Sequence, residues 1–273
     1  MITPQIKNLM NKDSRFPSNF IKDQKNQIIF YIHQKAGCTV FLKMIFQNLG
    51  ILEEALAYDK NGGAWPHYYR YEVYQKENKV EPIDLFSGDY KLIKIVRNPY
   101  YRAVSSFISA HFNVVQSAEY NKGEDITKIK RFNLRDYIIA RHLGNSTNSF
   151  YNYYKSIKDE NGLEVDLHID KQKCLFEDYI KFDEIIKLEE LENKIDYLND
   201  KYNLNFQFIR KSSHHTTINK ELCQFVGYDH WDSIPRCKMN VPPYNFFYND
   251  DKIKNLIYEL YQDEIQIYDY NLD

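Results

Sequence analysis

The sequence predicts an α/β fold with a central, mainly parallel sheet, because short apolar runs alternate along the chain with segments of helical periodicity. Three runs have the length and apolar character of buried strands: Gln27–His33, Lys91–Val96 and Phe182–Leu188. Each run is followed by a segment with helical features. No repeat or low-complexity linker divides the 273 residues, so we expect a single domain with its core at 27–270 and an N-terminal extension at 1–26.

The segments between and after the strands are assigned from spacing and end signals. Apolar residues at helical spacing predict a helix over Val40–Leu49, and Pro99 suits the first turn of a helix that reaches about Phe112. Asn61–Arg70 is rich in turn residues and aromatic residues and is predicted to be a loop. Three further helices are predicted, over Phe132–His142, Glu189–Asn203 and Asp250–Tyr268.

Composition narrows the functional classes. Apolar residues make up 43% and charged residues 27%, which is typical of a globular protein. The net charge of −2 argues against nucleic-acid binding by bulk electrostatics, so any anion site must be local. Four cysteines show neither CxxC nor zinc-site spacing, and we expect reduced thiols in a cytoplasmic protein: Cys38, Cys174, Cys223 and Cys237. We find no signal peptide, and no apolar run approaches the ~20 residues that span a bilayer.

The segment "HQKAGCT", His33–Thr39, carries groups that suit an anion site. It joins the first strand to a helix, where free N–H groups and the positive end of the helix dipole attract anions. Lys35 adds a full charge, Gly37 allows close backbone approach, and Thr39 adds a hydroxyl donor. The segment lacks the G-x-x-x-x-G-K-[ST] pattern of triphosphate-binding loops, and taken alone it could simply connect a strand to a helix.

A second segment, "VRNPYYRAVSSF", strengthens the interpretation. It places Arg97 at a strand end and Ser105 in the following helix, and both side chains can bind one phosphate. Together the two segments resemble the 5′-phosphosulfate loop and the 3′-phosphate motif of sulfotransferases that use 3′-phosphoadenosine 5′-phosphosulfate. Cys38 and the stretches "DLHIDKQKCLF", "FDEIIKLEELEN" and "LYQDEIQIYDY" are similar to the Golgi-type carbohydrate branch, sulfotransferase family 2, with Glu264 and Asp269 as departures.

The resemblance implies a three-layer, P-loop-like sulfotransferase fold and direct in-line transfer of a sulfuryl group to a carbohydrate hydroxyl. It implies that Arg97 and Ser105 hold the 3′-phosphate, and that Lys35 also stabilises the leaving oxygen during catalysis. The 5′-phosphosulfate would be surrounded by Lys35, Ala36, Gly37, Cys38 and Thr39. By the same analogy no metal is needed. A bacterial or viral-type cytoplasmic enzyme that acts on a polysaccharide or other glycan precursor fits best.

Other functions stay open at this point. A small-molecule kinase would need a Walker-type loop and a magnesium carboxylate, and neither is evident. A non-catalytic nucleotide-binding module would retain the same fold. A protein-tyrosine or small-molecule sulfotransferase would share the donor motifs, although the "GCT" loop and the tail favour the carbohydrate branch.

The acceptor hydroxyl must lose its proton, so the site needs a base. His67, between the two nucleotide motifs, is the first candidate for the catalytic base, and an ordinary surface histidine is an equal alternative. His168 lies in a family-like segment and is expected to be structural. A polar, basic loop could contact nucleotide or acceptor, with a solvated loop as the plain alternative; its candidate residues are Arg210, Lys211, His214 and His215.

Overall fold

In the computed structural model of the chain, the structure describes residues 2–58, 66–120, 138, 149–160, 163, 166–209, 217–218, 240–241, 244–248 and 250–271. The chain divides into two compact units, which are described separately. Unit 1 consists of Met1–Arg97 and Gln172–His214, and unit 2 of Asn98–Lys171 and His215–Asp273. The expectation of a single domain stays a prediction.

The elements are numbered in chain order. The α-helices are α1 Pro4–Lys12, α2 Cys38–Asn48, α3 Leu52–Ala57, α4 His67–Tyr69, α5 Gln75–Glu77, α6 Pro99–Tyr120, α7 Phe150–Asp159, α8 Leu191–Tyr202 and α9 Asp251–Ile267. The strands are β1 Phe20–Asp23, β2 Ile28–Ile32, β3 Lys91–Val96, β4 Glu184–Lys187, β5 Thr217–Ile218 and β6 Asn240–Val241. A π-helical turn, Arg70–Tyr74, lies between α4 and α5.

Unit 1 is built on a four-stranded sheet with the order β1-β2-β3-β4. Strands β2, β3 and β4 are parallel, and β1 is antiparallel to β2. Every residue of β2 is buried, as is every residue of β3 after Lys91. Continuous apolar runs of this kind form parallel strands that are covered on both faces. The predicted α/β class with a mainly parallel sheet is confirmed.

Successive side chains of a strand point to opposite faces of the sheet, and β2 supplies two different cores in this way. Phe30 and Ile32 belong to a cluster that includes residues of α2 and α8. Ile29 and Tyr31 belong to a second cluster, which includes residues of α1 and β1. The sheet therefore has packed layers on both faces. The segment predicted as an N-terminal extension, residues 1–26, contributes α1 and β1 to this unit.

Unit 2 has a helical core formed by α6, α7 and α9. Tyrosines are prominent in it, and several of their hydroxyl groups donate to backbone oxygens. The Tyr154 hydroxyl donates to the carbonyl of Ala103 at 2.9 Å, and the Tyr261 hydroxyl donates to the carbonyl of Ile169 at 2.6 Å. Pairing avoids the cost of burying a hydroxyl without a partner. Strands β5 and β6 form a separate parallel pair.

Most predicted elements that fall on described residues are present within a few residues of their expected bounds. The helix expected to end near Phe112 continues to Tyr120 as α6. The helix predicted over Phe132–His142 lies outside the described residues except for Ile138. No helix within the described part of the chain is both long and apolar enough to cross a bilayer.

The prediction of a loop over Asn61–Arg70 is wrong for the carboxyl-terminal part of this segment. Helix α4 and the π-helical turn occupy this stretch from His67 onward. Tyr69 and Tyr74 are buried in the core on the α2 side of the sheet. Burial of two large aromatic side chains outweighs the turn-forming composition of the segment, so a helical conformation is adopted.

Candidate functional site

The carboxyl ends of three parallel strands lie side by side at one edge of unit 1. Ile32, the last residue of β2, is paired with Ile95 of β3. The last residue of β4, Lys187, is paired with Val96 at the end of β3. The residues that follow these strands therefore share one edge of the sheet. In open α/β sheets this is the edge at which ligands bind.

The loop between β2 and α2 turns through left-handed backbone conformations. Lys35 has a φ of 62° and Gly37 a φ of 74°. Such values are unfavourable for a residue with a Cβ, so the conformation of Lys35 is an unusual one. At Gly37 an added Cβ would lie 2.5 Å from the Cδ1 atom of Leu188, so space as well as φ demands glycine. Gly37 provides no side-chain cap for α2, and an uncapped helix start is well suited to an anion.

Arg97 contacts this loop directly. Its Nη1 donates a hydrogen bond of 3.0 Å to the carbonyl oxygen of Lys35, 62 residues earlier in the chain. The bond supports the left-handed turn at Lys35, because it fixes the direction of that carbonyl. Both side chains are half-buried, and at such positions solvent screens charge less than at an exposed surface. The structure thus joins one residue from each sequence motif at one edge of the sheet.

His67 lies beside the first turn of α2. Its Nε2 is 3.1 Å from the hydroxyl oxygen of Thr39. The imidazole ring stacks on Tyr71 with 6.4 Å between ring centroids, and Gln34 donates to the Tyr71 hydroxyl at 3.3 Å. The half-buried imidazole is therefore placed next to the loop between β2 and α2. That position is compatible with the predicted role as a base.

Cys38, the first residue of α2, has an unusual thiol. Burial raises its pKa, but hydrogen bonding to His67 and the charges of His67 and Lys35 outweigh burial and lower the pKa to about 6. Cys174 is the opposite case, since burial raises the pKa of its thiol well above the ordinary value. Both are free cysteines. The surroundings of Cys38 therefore favour its thiolate form.

Cys38 should react with iodoacetamide near neutral pH, at a rate that falls as the pH is lowered through about 6. The thiolate is the nucleophile, so the rate follows its population. Cys174 should stay unmodified in the same sample and serves as the internal control. Timed alkylation with peptide-resolved mass spectrometry measures both residues. A Cys38 rate that rises only around pH ~8.5, as for an ordinary thiol, would contradict the lowered pKa.

The remaining predicted site residues are distributed as follows. Ala36 is buried within the loop, where its N–H donates to the carbonyl of His33 at 3.2 Å. Ser105 is half-buried on α6, in unit 2. His168, also in unit 2, has its Nδ1 2.9 Å from the Oδ1 of Asp166, which orients the ring. The basic-loop candidates lie outside the described residues: Arg210, Lys211, His214 and His215.

Two residues near this edge of the sheet were not predicted from the sequence. Gln172 forms two hydrogen bonds with the backbone of Arg97, and the only sequence signal for it is its position in the family-like stretch "DLHIDKQKCLF". Arg70 is fully buried, donates to the carbonyl of Ser18, and lies 4.9 Å from the ring centroid of Tyr71. Burial lowers the pKa of the Arg70 guanidinium. No local pattern marks Arg70, because its neighbours come from distant parts of the chain.

Among the described residues, no group of three or more His, Cys, Asp or Glu side chains is arranged to hold a metal ion. Comparison with models of protein families, with curated proteins and with solved structures finds no match to this chain. The relation to sulfotransferases therefore stays a prediction from the two sequence motifs.

Proposed function

We propose that this protein transfers a sulfuryl group from 3′-phosphoadenosine 5′-phosphosulfate to a hydroxyl group of a carbohydrate. The observation that supports this most is the contact of Arg97 with the carbonyl of Lys35. Arg97 belongs to the motif that resembles a 3′-phosphate site, and Lys35 to the loop that resembles a 5′-phosphosulfate site. A donor with anionic groups at both positions requires cations from both segments within reach of one nucleotide. A P-loop-like sulfotransferase fold is part of the same proposal.

In the proposed step, the acceptor hydroxyl oxygen attacks the sulfur atom in line with the leaving group. A new oxygen–sulfur bond forms while the bond from sulfur to the bridging phosphate oxygen breaks. The electron pair of that bond stays on the departing 3′-phosphoadenosine 5′-phosphate, and the hydroxyl proton passes to His67. Lys35 and the first amide groups of α2 stabilise the charge that develops on the phosphate. Positioning and charge stabilisation are the main requirements of such a transfer.

The acceptor is proposed to be a glycan precursor in the cytoplasm, on the basis of the family resemblance. Two exposed aromatic rings support a carbohydrate acceptor. Tyr68, the residue after His67, is 42% exposed, and Tyr71, which stacks on His67, is 39% exposed. Flat apolar faces with a polar edge suit the faces of sugar rings.

The 3′-phosphate should dominate nucleotide affinity. The unmodified protein should bind 3′-phosphoadenosine 5′-phosphate much more tightly than AMP, which lacks the group assigned to Arg97. Arg97→Ala should narrow this gap by about 1.5–3 kcal/mol, or roughly 10–150-fold, because a charge-assisted contact is lost. Isothermal titration calorimetry with both nucleotides measures the gap.

Lys91→Ala is the control for this experiment, because Lys91 is an exposed cation at the other end of the same strand. It should leave both affinities unchanged. Equal affinity of the unmodified protein for the two nucleotides would overturn the proposed donor. If Arg97→Ala lowers the affinity for both nucleotides equally, the role of Arg97 is only to support the Lys35 turn.

A further inference from the structure

The side chain of Gln172 pairs with both backbone polar groups of Arg97. Its Oε1 accepts from the Arg97 N–H at 2.8 Å, and its Nε2 donates to the Arg97 carbonyl at 2.9 Å. A backbone N–H can only donate, so the two contacts agree on a single orientation of the amide. Arg97 is the first residue beyond β3, whose ladder with β4 ends at Val96. Gln172 thus takes the place that a neighbouring strand would occupy.

Gln172 is itself held in place by hydrogen bonds from residues of the sheet. Its carbonyl accepts hydrogen bonds from the ammonium of Lys94 at 2.9 Å and from the hydroxyl of Tyr31 at 3.0 Å. Lys94 is fully buried and forms an ion pair with Glu177. Lys94 and Tyr31 both lie on central strands of the sheet, and Gln172 is fully buried. Its side chain is therefore a rigid support rather than a mobile surface group.

We propose that Gln172 is a positioning residue that orients Arg97 toward both the Lys35 turn and the 3′-phosphate of the donor. Fixing the N–H and the carbonyl of one residue restrains the peptide planes on both sides, and with them the direction of the Cα–Cβ bond from which the side chain extends. The contact of Arg97 Nη1 with the Lys35 carbonyl depends on that direction. The role toward the 3′-phosphate rests on the proposed function, whereas the role toward the loop does not.

Gln172→Met tests the inference, because methionine has a similar length and can form neither hydrogen bond. The preference for 3′-phosphoadenosine 5′-phosphate over AMP should fall about tenfold, the equivalent of one charge-assisted contact. Tyr31→Phe is the matched control, since it removes a hydrogen bond to the Gln172 carbonyl and leaves both Arg97 contacts in place. Calorimetric titrations are made at a temperature at which circular dichroism shows both variants folded.

We expect both variants to be less thermally stable and only Gln172→Met to lose nucleotide preference. A destabilised Gln172→Met protein with the full preference would overturn the inference, because the amide would then serve stability alone. An equal loss of preference in Tyr31→Phe would overturn it as well.

A second measurement needs no nucleotide. In Gln172→Met, Arg97 should no longer support the left-handed turn at Lys35. The charge of Lys35 should then lower the pKa of the Cys38 thiol less. The pH midpoint of Cys38 alkylation should then rise in Gln172→Met and stay at about 6 in Tyr31→Phe. If the unmodified protein shows no preference for the 3′-phosphate, the proposed function fails, and this measurement still decides the role of Gln172. A raised midpoint supports the inference, and an unchanged one overturns it.

Discussion

Replacing His67 with alanine should lower the rate of sulfuryl transfer by about 10²–10⁴-fold, the usual contribution of a positioned general base. The imidazole lies beside the loop assigned to the donor, with its Nε2 3.1 Å from the Thr39 hydroxyl. Nucleotide affinity should fall by less than about tenfold, because the interaction lost at Thr39 is a single hydrogen bond of about 0.5–1.5 kcal/mol. Single-turnover transfer from radiolabelled donor to a glycan acceptor gives the rate, and calorimetry gives the affinity.

His168→Ala provides the matched control. His168 is also a partly exposed histidine, held by the carboxylate of Asp166, and it lies in unit 2. The rate of transfer should be nearly unchanged in this variant. Normal turnover in His67→Ala would contradict the assignment of the base. A parallel loss of rate and nucleotide affinity in His67→Ala would instead show that His67 supports the donor loop.

Lys94→Met should lower the free energy of unfolding by about 3–5 kcal/mol, because it leaves the carboxylate of Glu177 buried without its counter-charge. The side chains of Lys94 and Glu177 are only 0% and 9% exposed. The ammonium also donates to the Gln172 carbonyl and lies 4.7 Å from the ring centroid of Tyr31. Both contacts are lost in the variant. Urea unfolding followed by circular dichroism measures the effect.

Lys91→Met is the control on the same strand. The ion pair of Lys91 with Asp183 has side chains that are 58% and 32% exposed. Solvent screens such a pair, so its removal should have a much smaller effect on stability. The double variant Lys94→Met, Glu177→Gln should recover part of the loss, since no unpaired charge remains buried. This account of the buried pair would be contradicted if the two lysine variants lost similar amounts of stability, or if the double variant recovered none of the lost stability.

Local patterns predict much of the sheet and part of the site. The apolar runs of β2 and β3 are long enough to be assigned without knowledge of their neighbours. Lys35, Gly37 and Arg97 are found from their residue types and from their positions at strand ends. These three lie at one edge of the sheet because consecutive parallel strands end side by side.

Other elements depend on partners that lie far away in the chain. Strand β1 has only four residues and is defined by its antiparallel pairing with β2. Helix α4 begins in a stretch with a turn-forming composition, and the burial of Tyr69 and Tyr74 favours the helical conformation there. Neither feature leaves a periodic signal in its own residues. Short elements of this kind are therefore beyond prediction from local pattern.

The sequence by itself determines the alternation of strands and helices and the chemistry of the two loops, because both depend on residues that are close together in the chain. Only the tertiary structure decides which distant groups meet. It places His67 at Thr39, the Arg97 guanidinium at the Lys35 carbonyl, and Gln172 at the backbone of Arg97, 75 residues away. These contacts depend on strand order and on the direction in which each segment leaves the sheet, and hydrophobic periodicity encodes neither.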